Sequence, residues 1–182
     1  QSCNQQLKKM WARTLHISWL AKWVDQANRH LPGGEQHSMQ TPSFDTSRLF
    51  VRTPAHLFFT AEEEDFGRKA LREIGIPDGA CFICFHARDS SYLRTVSPGF
   101  DWRYHNHRDS SIHNVIPAAE ELARRGYWVV RMGAVVKERL NSTNPQIIDY
   151  AANGSRTDFL DIYLSAKCQF FLGGTAGICS VP

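Results

Sequence analysis

The residues best suited to chemistry stand directly after short apolar runs. His86-Ala87-Arg88-Asp89-Ser90-Ser91 follows CFICF, and Arg131-Met132-Gly133 follows YWVV. Asp149-Tyr150 follows the short run ending at Ile148, and Gly173-Gly174-Thr175-Ala176-Gly177 follows CQFFL. An arginine's planar fork matches two oxygens of a phosphate at once. Small residues let backbone close on an anion, and a helix starting there offers unpaired N–H groups and the positive end of its dipole. Arg88, Arg131 and the turn containing Gly173, Gly174 and Thr175 therefore form a candidate diphosphate site. Arg108, from a second RDSS tetrapeptide at 108–111, can join them. Asp89 and His86 are the candidates for proton transfer, a carboxylate or an imidazole beside the arginines. Ser90 and Asp149 lie on the same rim as further binding residues.

Each of these residues also has a plain structural reading. Arg88-Asp89 can be a loop ion pair, Arg131 can hold a neighbouring carbonyl, and GGTAG can be a tight turn. Asp109, Ser110 or Ser111 can simply cap the helix that follows. The chain has no GxGxxG after the first strand and no GxxxxGK[ST], so neither the usual dinucleotide site nor a P-loop is expected. No GxSxG elbow or cysteine-based phosphate loop supports a hydrolase. His86, His105, His107 and His113 lack a third ligand at metal spacing, so no metal is expected. Cys81 and Cys84 form a CxxC, but it lies within CFICF and reads as buried strand before zinc or redox chemistry. Five cysteines, an odd number, argue against a disulfide framework and point to a reducing compartment, the cytoplasm.

The elements that must carry these residues follow from periodicity. Over residues 1–31 the apolar positions Leu7, Met10, Trp11, Leu15, Trp19, Leu20, Trp23 and Val24 recur at three and four, as in one amphipathic helix. LPGG at 31–34 ends it. Packing on the rest of a larger protein is its first reading. Peripheral association with a membrane through 7–24, at the inner face, is the alternative, given Lys8, Lys9, Arg13 and Lys22. Residues 33–56 read as a polar connector. Thr60 with Glu63 forms a capping box for a helix whose buried stripe is Phe66, Ala70, Leu71 and Ile74. Gly75 ends that helix and Pro77 prevents its continuation.

Further on, strands are expected at 80–86, 127–132, 146–150 and 168–174. Helices are expected at 114–125 and 157–166, with Thr157 as N-cap, and the next begins at Thr175–Gly177. Residues 87–112 read as loop. Apolar strands alternating with amphipathic helices define an α/β domain, a Rossmann-like parallel sheet with helices on both faces. Ligands of such sheets bind at the carboxyl ends of the strands, where the residues above stand. The expected division is a helical segment and linker at 1–55 and a nucleotide-binding domain at 56–182, in a piece of a longer chain.

Bulk properties agree with that class. The chain has 182 residues, 42% hydrophobic and 21% charged, which suits a globular domain. A net charge of +3 is too small to argue for nucleic acid and fits a phosphate ligand.

FHARDSSYL, DWRYHNHRDSSI, GYWVVRMG, IIDYA and TDFLDIYLSAKCQFFLGGTAG together resemble a family of bacterial glycosyltransferases of surface-polysaccharide assembly. The resemblance spans about residues 55–182. A more distant similarity is to fucosyltransferases and related two-domain (GT-B) enzymes. It implies that this domain is the C-terminal half of such a fold and that Arg88 contacts the diphosphate of a nucleotide-sugar. Asp158 and Asp161 then lie on the Asp-rich helix that precedes the strand ending in Gly173, Gly174 and Thr175. One arginine stands where two often adjoin in fucosyltransferases. The implied reaction is metal-independent transfer of a sugar from a nucleotide-sugar to a glycan or other hydroxyl acceptor, with no cofactor. A module that binds nucleotide or glycan without catalysis is the other reading. On the transferase reading, replacing Arg88 by alanine abolishes transfer and leaves the fold intact.

Overall fold

The computed structural model describes residues 4–16, 18–37, 52–174 and 176–181. Four parallel strands form one sheet: β1 (Phe82–His86), β2 (Trp128–Arg131), β3 (Ile147–Ile148) and β4 (Phe171–Gly173), in the order β3-β2-β1-β4. The chain therefore builds outward from β1 to β3 and then returns to the other side of β1. That order is the one in which doubly wound sheets reverse direction, and the reversal lies between β1 and β4. β1 is flanked on both sides, so four successive residues, Phe82 to Phe85, are at most 5% exposed.

Successive strand residues point to opposite faces, and each face has its own core. Phe82, Cys84, Val130 and Met132 pack with Ala70 of α3 (Ala61–Glu73) and with Leu160, Tyr163 and Leu164 of α6 (Asp158–Lys167). Ile83, Phe85 and Val129 pack with Ala119 and Ala123 of α5 (Ile116–Arg124). The CxxC is divided by the same arrangement. Cys84 is wholly buried in the strand, whereas Cys81 is exposed just before it.

Local signals end the helices where chemistry demands. Thr60 accepts from the Glu63 N–H while the Glu63 carboxylate accepts from the Thr60 N–H, a complete capping box for α3. Gly75, at φ +103°, takes the left-handed conformation that ends that helix. Thr157 caps α6 by accepting from the Leu160 N–H. The buried face of α3 differs from expectation. It comprises Glu63, Gly67 and Ala70, while Phe66 is 56% exposed and lies edge-on to Phe159. Glu63 is drawn inward because Arg13 and Gln6 donate to its carboxylate. The Arg13 guanidinium holds that carboxyl well below its ordinary pKa.

Gly67 marks the contact between α3 and α6. A methyl group there would lie 2.3 Å from the Tyr163 ring. Gly67→Ala is expected to lower stability by about 1–2 kcal/mol, because overpacking outweighs the ~1 kcal/mol gain in helix propensity. Urea unfolding measures it, and a raised midpoint would show that the two helices separate without cost.

Four expectations need correction. The described residues of the expected helix at 1–31 form two helices, α1 (Gln5–Thr14) and α2 (Ala21–Asn28), not one. Ser18 accepts from the Leu20 N–H and builds a local turn that competes with helix. α1 docks on α6, with Met10 buried and the Gln5 N–H bonded to Asp158, whereas Trp19, Trp23 and Val24 are more than 60% exposed. Within 87–112 the chain forms α4 (Ser91–Val96) and a 3-10 helix, Arg103–Arg108. Residues 168–174 are not buried throughout: β4 is an edge strand, so Phe170 and Leu172 remain 38% and 39% exposed. The last expected helix is a 3-10 turn, Gly177–Ser180, without a side-chain cap. The middle of the expected polar connector, 38–51, lies outside the described residues.

Candidate functional site

The carboxyl ends of β2, β1 and β4 form one rim. Arg131 stands beside Phe85, and Gly173 stands beside His86, in the register of the sheet. Sheet geometry alone therefore brings His86, Arg131 and Gly173 together. Arg88 and Asp89 follow within three residues of His86. Thr175 lies outside the described residues.

His86 is partly buried, and its Nδ1 has no hydrogen-bond partner among the described residues. Burial lowers its pKa, Asp89 opposes that shift, and Arg131 and Arg88 add to it. The imidazole is thus neutral near pH 7 and able to accept a proton. Asp89 is already engaged at two backbone groups, the Ser91 N–H (2.8 Å) and the Lys137 N–H (3.0 Å). It ties the β1 loop to the loop after β2. His86 Nδ1 is unpartnered among the described residues, but it is shut off from solvent. Ser90 stands at the N-cap position of α4 but makes no side-chain capping bond.

The arginines divide into two kinds. Arg131 is 1% exposed and donates to the Glu138 carbonyl at 2.6 Å, with the Asp149 carboxylate at 3.4 Å. Asp149 also accepts from the Leu140 N–H at 2.7 Å. Together they close the loop between β2 and β3. This is the plain reading of Arg131, a guanidinium holding a carbonyl. Arg88 is 9% exposed, pairs with Asp109 and donates to the His105 carbonyl at 3.0 Å. Its own carbonyl accepts from the Ser110 N–H. Arg88 therefore fastens the 3-10 helix at 103–108 to the end of β1. Its partner is Asp109, not the adjacent Asp89.

Arg108 is the cation left over. It is partly buried, its nearest polar neighbour is His105 Nδ1 at 3.4 Å, and it has no carboxylate partner among the described residues. Desolvation, then Arg108 and Arg88, lower the His105 pKa, which keeps that ring neutral and able to accept from Arg108. Arg88 and Arg108 both act on His105, and of the two only Arg88 is paired with Asp109.

Asp161 is brought elsewhere. It is 5% exposed, accepting from the Tyr150 hydroxyl (3.0 Å) and from Arg156 (2.7 Å). Burial raises its pKa. These bonds join the chain after β3 to the start of α6, a structural role. Gly173 also has a packing reason to be small, because an added Cβ would lie 2.7 Å from Cys179 Sγ. Ser111 caps only a 3-10 turn, Ile112–Asn114, accepting from the His113 N–H, whereas α5 itself starts after Val115 without the side-chain cap expected from 109–111. Among the described residues no three His, Cys, Asp or Glu side chains converge as a metal would require.

Sequence reasoning missed Asp109 as the partner of Arg88, and it missed the 103–108 helix as part of the rim. The density of aromatic and charged residues there was the available signal. A groove of about 530 Å³ lies at the other end of the sheet, where Ala123, Arg124, Asn144 and Gln146 precede β2 and β3. No family model, no curated protein and no solved structure matches the chain. No helix among the described residues is long and apolar enough to cross a membrane.

Proposed function

We propose that the rim binds the diphosphate of a nucleotide-sugar and that the protein is a metal-independent glycosyltransferase of the two-domain kind. The observation that carries this reading is Arg108, a partly buried guanidinium without a carboxylate partner among the described residues, meeting the same His105 that Arg88 holds at the carboxyl end of β1. A cation removed from water and left unpaired is costly unless an anion completes it. Positive charge fixed there stabilises negative charge developing on the leaving diphosphate. His86, neutral and on the same rim, is the candidate to take the proton of an acceptor hydroxyl.

A thermal-shift series with GDP, UDP, ADP and CDP tests the reading. A nucleotide at 100 times its dissociation constant stabilises the fold by about 2.7 kcal/mol. That is a midpoint rise of roughly 5–10 °C for a chain of this size. A rise with at least one nucleoside diphosphate is expected. Unchanged midpoints throughout, for this chain and for any longer form, would remove the diphosphate site. Binding without detectable sugar transfer by the longer form would instead favour a nucleotide-binding module.

A further inference from the structure

The rim continues outward into a row of rings. Phe100 and Trp102 lie 5.7 Å apart between centroids, Trp102 stacks on His105 at 6.0 Å, and Tyr104 lies 3.9 Å from His105. The row is held from below. Arg88 grips the His105 carbonyl, the Trp102 indole N–H donates to the Ser97 carbonyl, and His107 Nδ1 contacts the Tyr104 carbonyl. Yet Phe100 is 72% and Tyr104 64% exposed. Two apolar ring faces are thus fixed in place and left facing water, at the end of the sheet where ligands bind.

The row ends on Arg108, the guanidinium without a carboxylate partner among the described residues. Tyr104 packs on His105, and His105 meets Arg108. Arg108 is four residue steps along the 3-10 helix from Tyr104, about 8 Å along the axis. That spacing is comparable to the reach from the base to the phosphates within one nucleotide. Flat ring and diphosphate occur together, at that separation, in a nucleoside diphosphate.

We infer that Tyr104, in a row with Trp102 and Phe100, is the base-stacking platform of the site, with Arg108 on the phosphates of the same ligand. This rests on the diphosphate reading above. Stacking needs only a ring face, which every base offers. Purines, with the larger face, bind more tightly than pyrimidines. The Tyr104 hydroxyl is not required.

Calorimetric titration of the chain with GDP, UDP and inorganic pyrophosphate separates the parts. GDP is expected to bind more tightly than pyrophosphate. Tyr104→Ala weakens GDP roughly tenfold, the loss of one base–aromatic stack, and leaves pyrophosphate unchanged. Tyr104→Phe retains GDP binding, which shows that the ring face carries the effect. Because Tyr104 is exposed, its replacement does not threaten folding. GDP affinity unchanged in Tyr104→Ala overturns the platform while the phosphate site stands. Equal losses for GDP and pyrophosphate in that variant also overturn it. Failure of the unaltered chain to bind either ligand overturns the diphosphate reading and the platform together.

Discussion

Arg131→Ala is expected to lower the thermal midpoint by roughly 10 °C. The side chain is 1% exposed and serves two acceptors, the Glu138 carbonyl and the Asp149 carboxylate. Its removal leaves a partly buried carboxylate without its cation and a cavity under the loop after β2. Breaking one partner of a buried pair costs about 3–5 kcal/mol, and each kilocalorie moves the midpoint of a chain this size by about 2–4 °C. That is a large share of a typical domain's total stability. Arg131→Met, which keeps the stem, is expected to recover the packing but not the bonds. If the alanine variant fails to fold, the methionine variant reports the polar contribution alone. A midpoint within about 2 °C of the unaltered chain in both variants would mean that the bonds to Glu138 and Asp149 do not hold the loop.

Arg108→Ala and Arg88→Ala are expected to part company. Arg108 has no carboxylate to lose among the described residues, so its replacement leaves the midpoint nearly unchanged. Nucleoside diphosphate affinity falls about 10- to 100-fold, the loss of one or two charge-assisted hydrogen bonds. Arg88→Ala has both effects. It frees Asp109 and the 103–108 helix, so the midpoint falls as well as the affinity. The expectation that Arg88 can be removed with the fold intact is therefore revised. Titration with GDP and a melting curve on each variant decide the matter. Unaltered affinity in Arg108→Ala would take the unpaired guanidinium out of the site.

The parts of the fold legible in the sequence are those encoded by neighbours in the chain. The capping box at Thr60 and Glu63, the cap at Thr157 and the left-handed Gly75 depend on residues within one helical turn. The apolar run CFICF announces a strand covered on both sides, and β1 is one. What depends on distant partners was not legible. Leu172 and Phe170 look as buried as Ile83 and Phe85, but β4 has one neighbour where β1 has two. Phe66 has the right spacing for α3's buried stripe, yet Glu63 takes the inner face because Arg13 arrives from fifty residues away. The site shows the same divide. Its position, at the strand ends, followed from the alternation of elements. Which arginine is spent on the fold and which is free did not. That depends on Asp109, Asp149 and the Glu138 carbonyl, none of which has a spacing rule linking it to its arginine.

The central place of β1 has a consequence for how the chain acquires its structure. Both hydrogen-bonding edges of CFICF are satisfied only by later segments, Trp128–Arg131 on one side and Phe171–Gly173 on the other. Contacts so far apart in sequence make folding slow. Until β4 arrives, the most apolar strand of the molecule has a bare edge, open to the same strand of another copy. Refolding yield should therefore fall as concentration rises, and the step that ends the exposure is the docking of α6 with β4, not the formation of β1 itself.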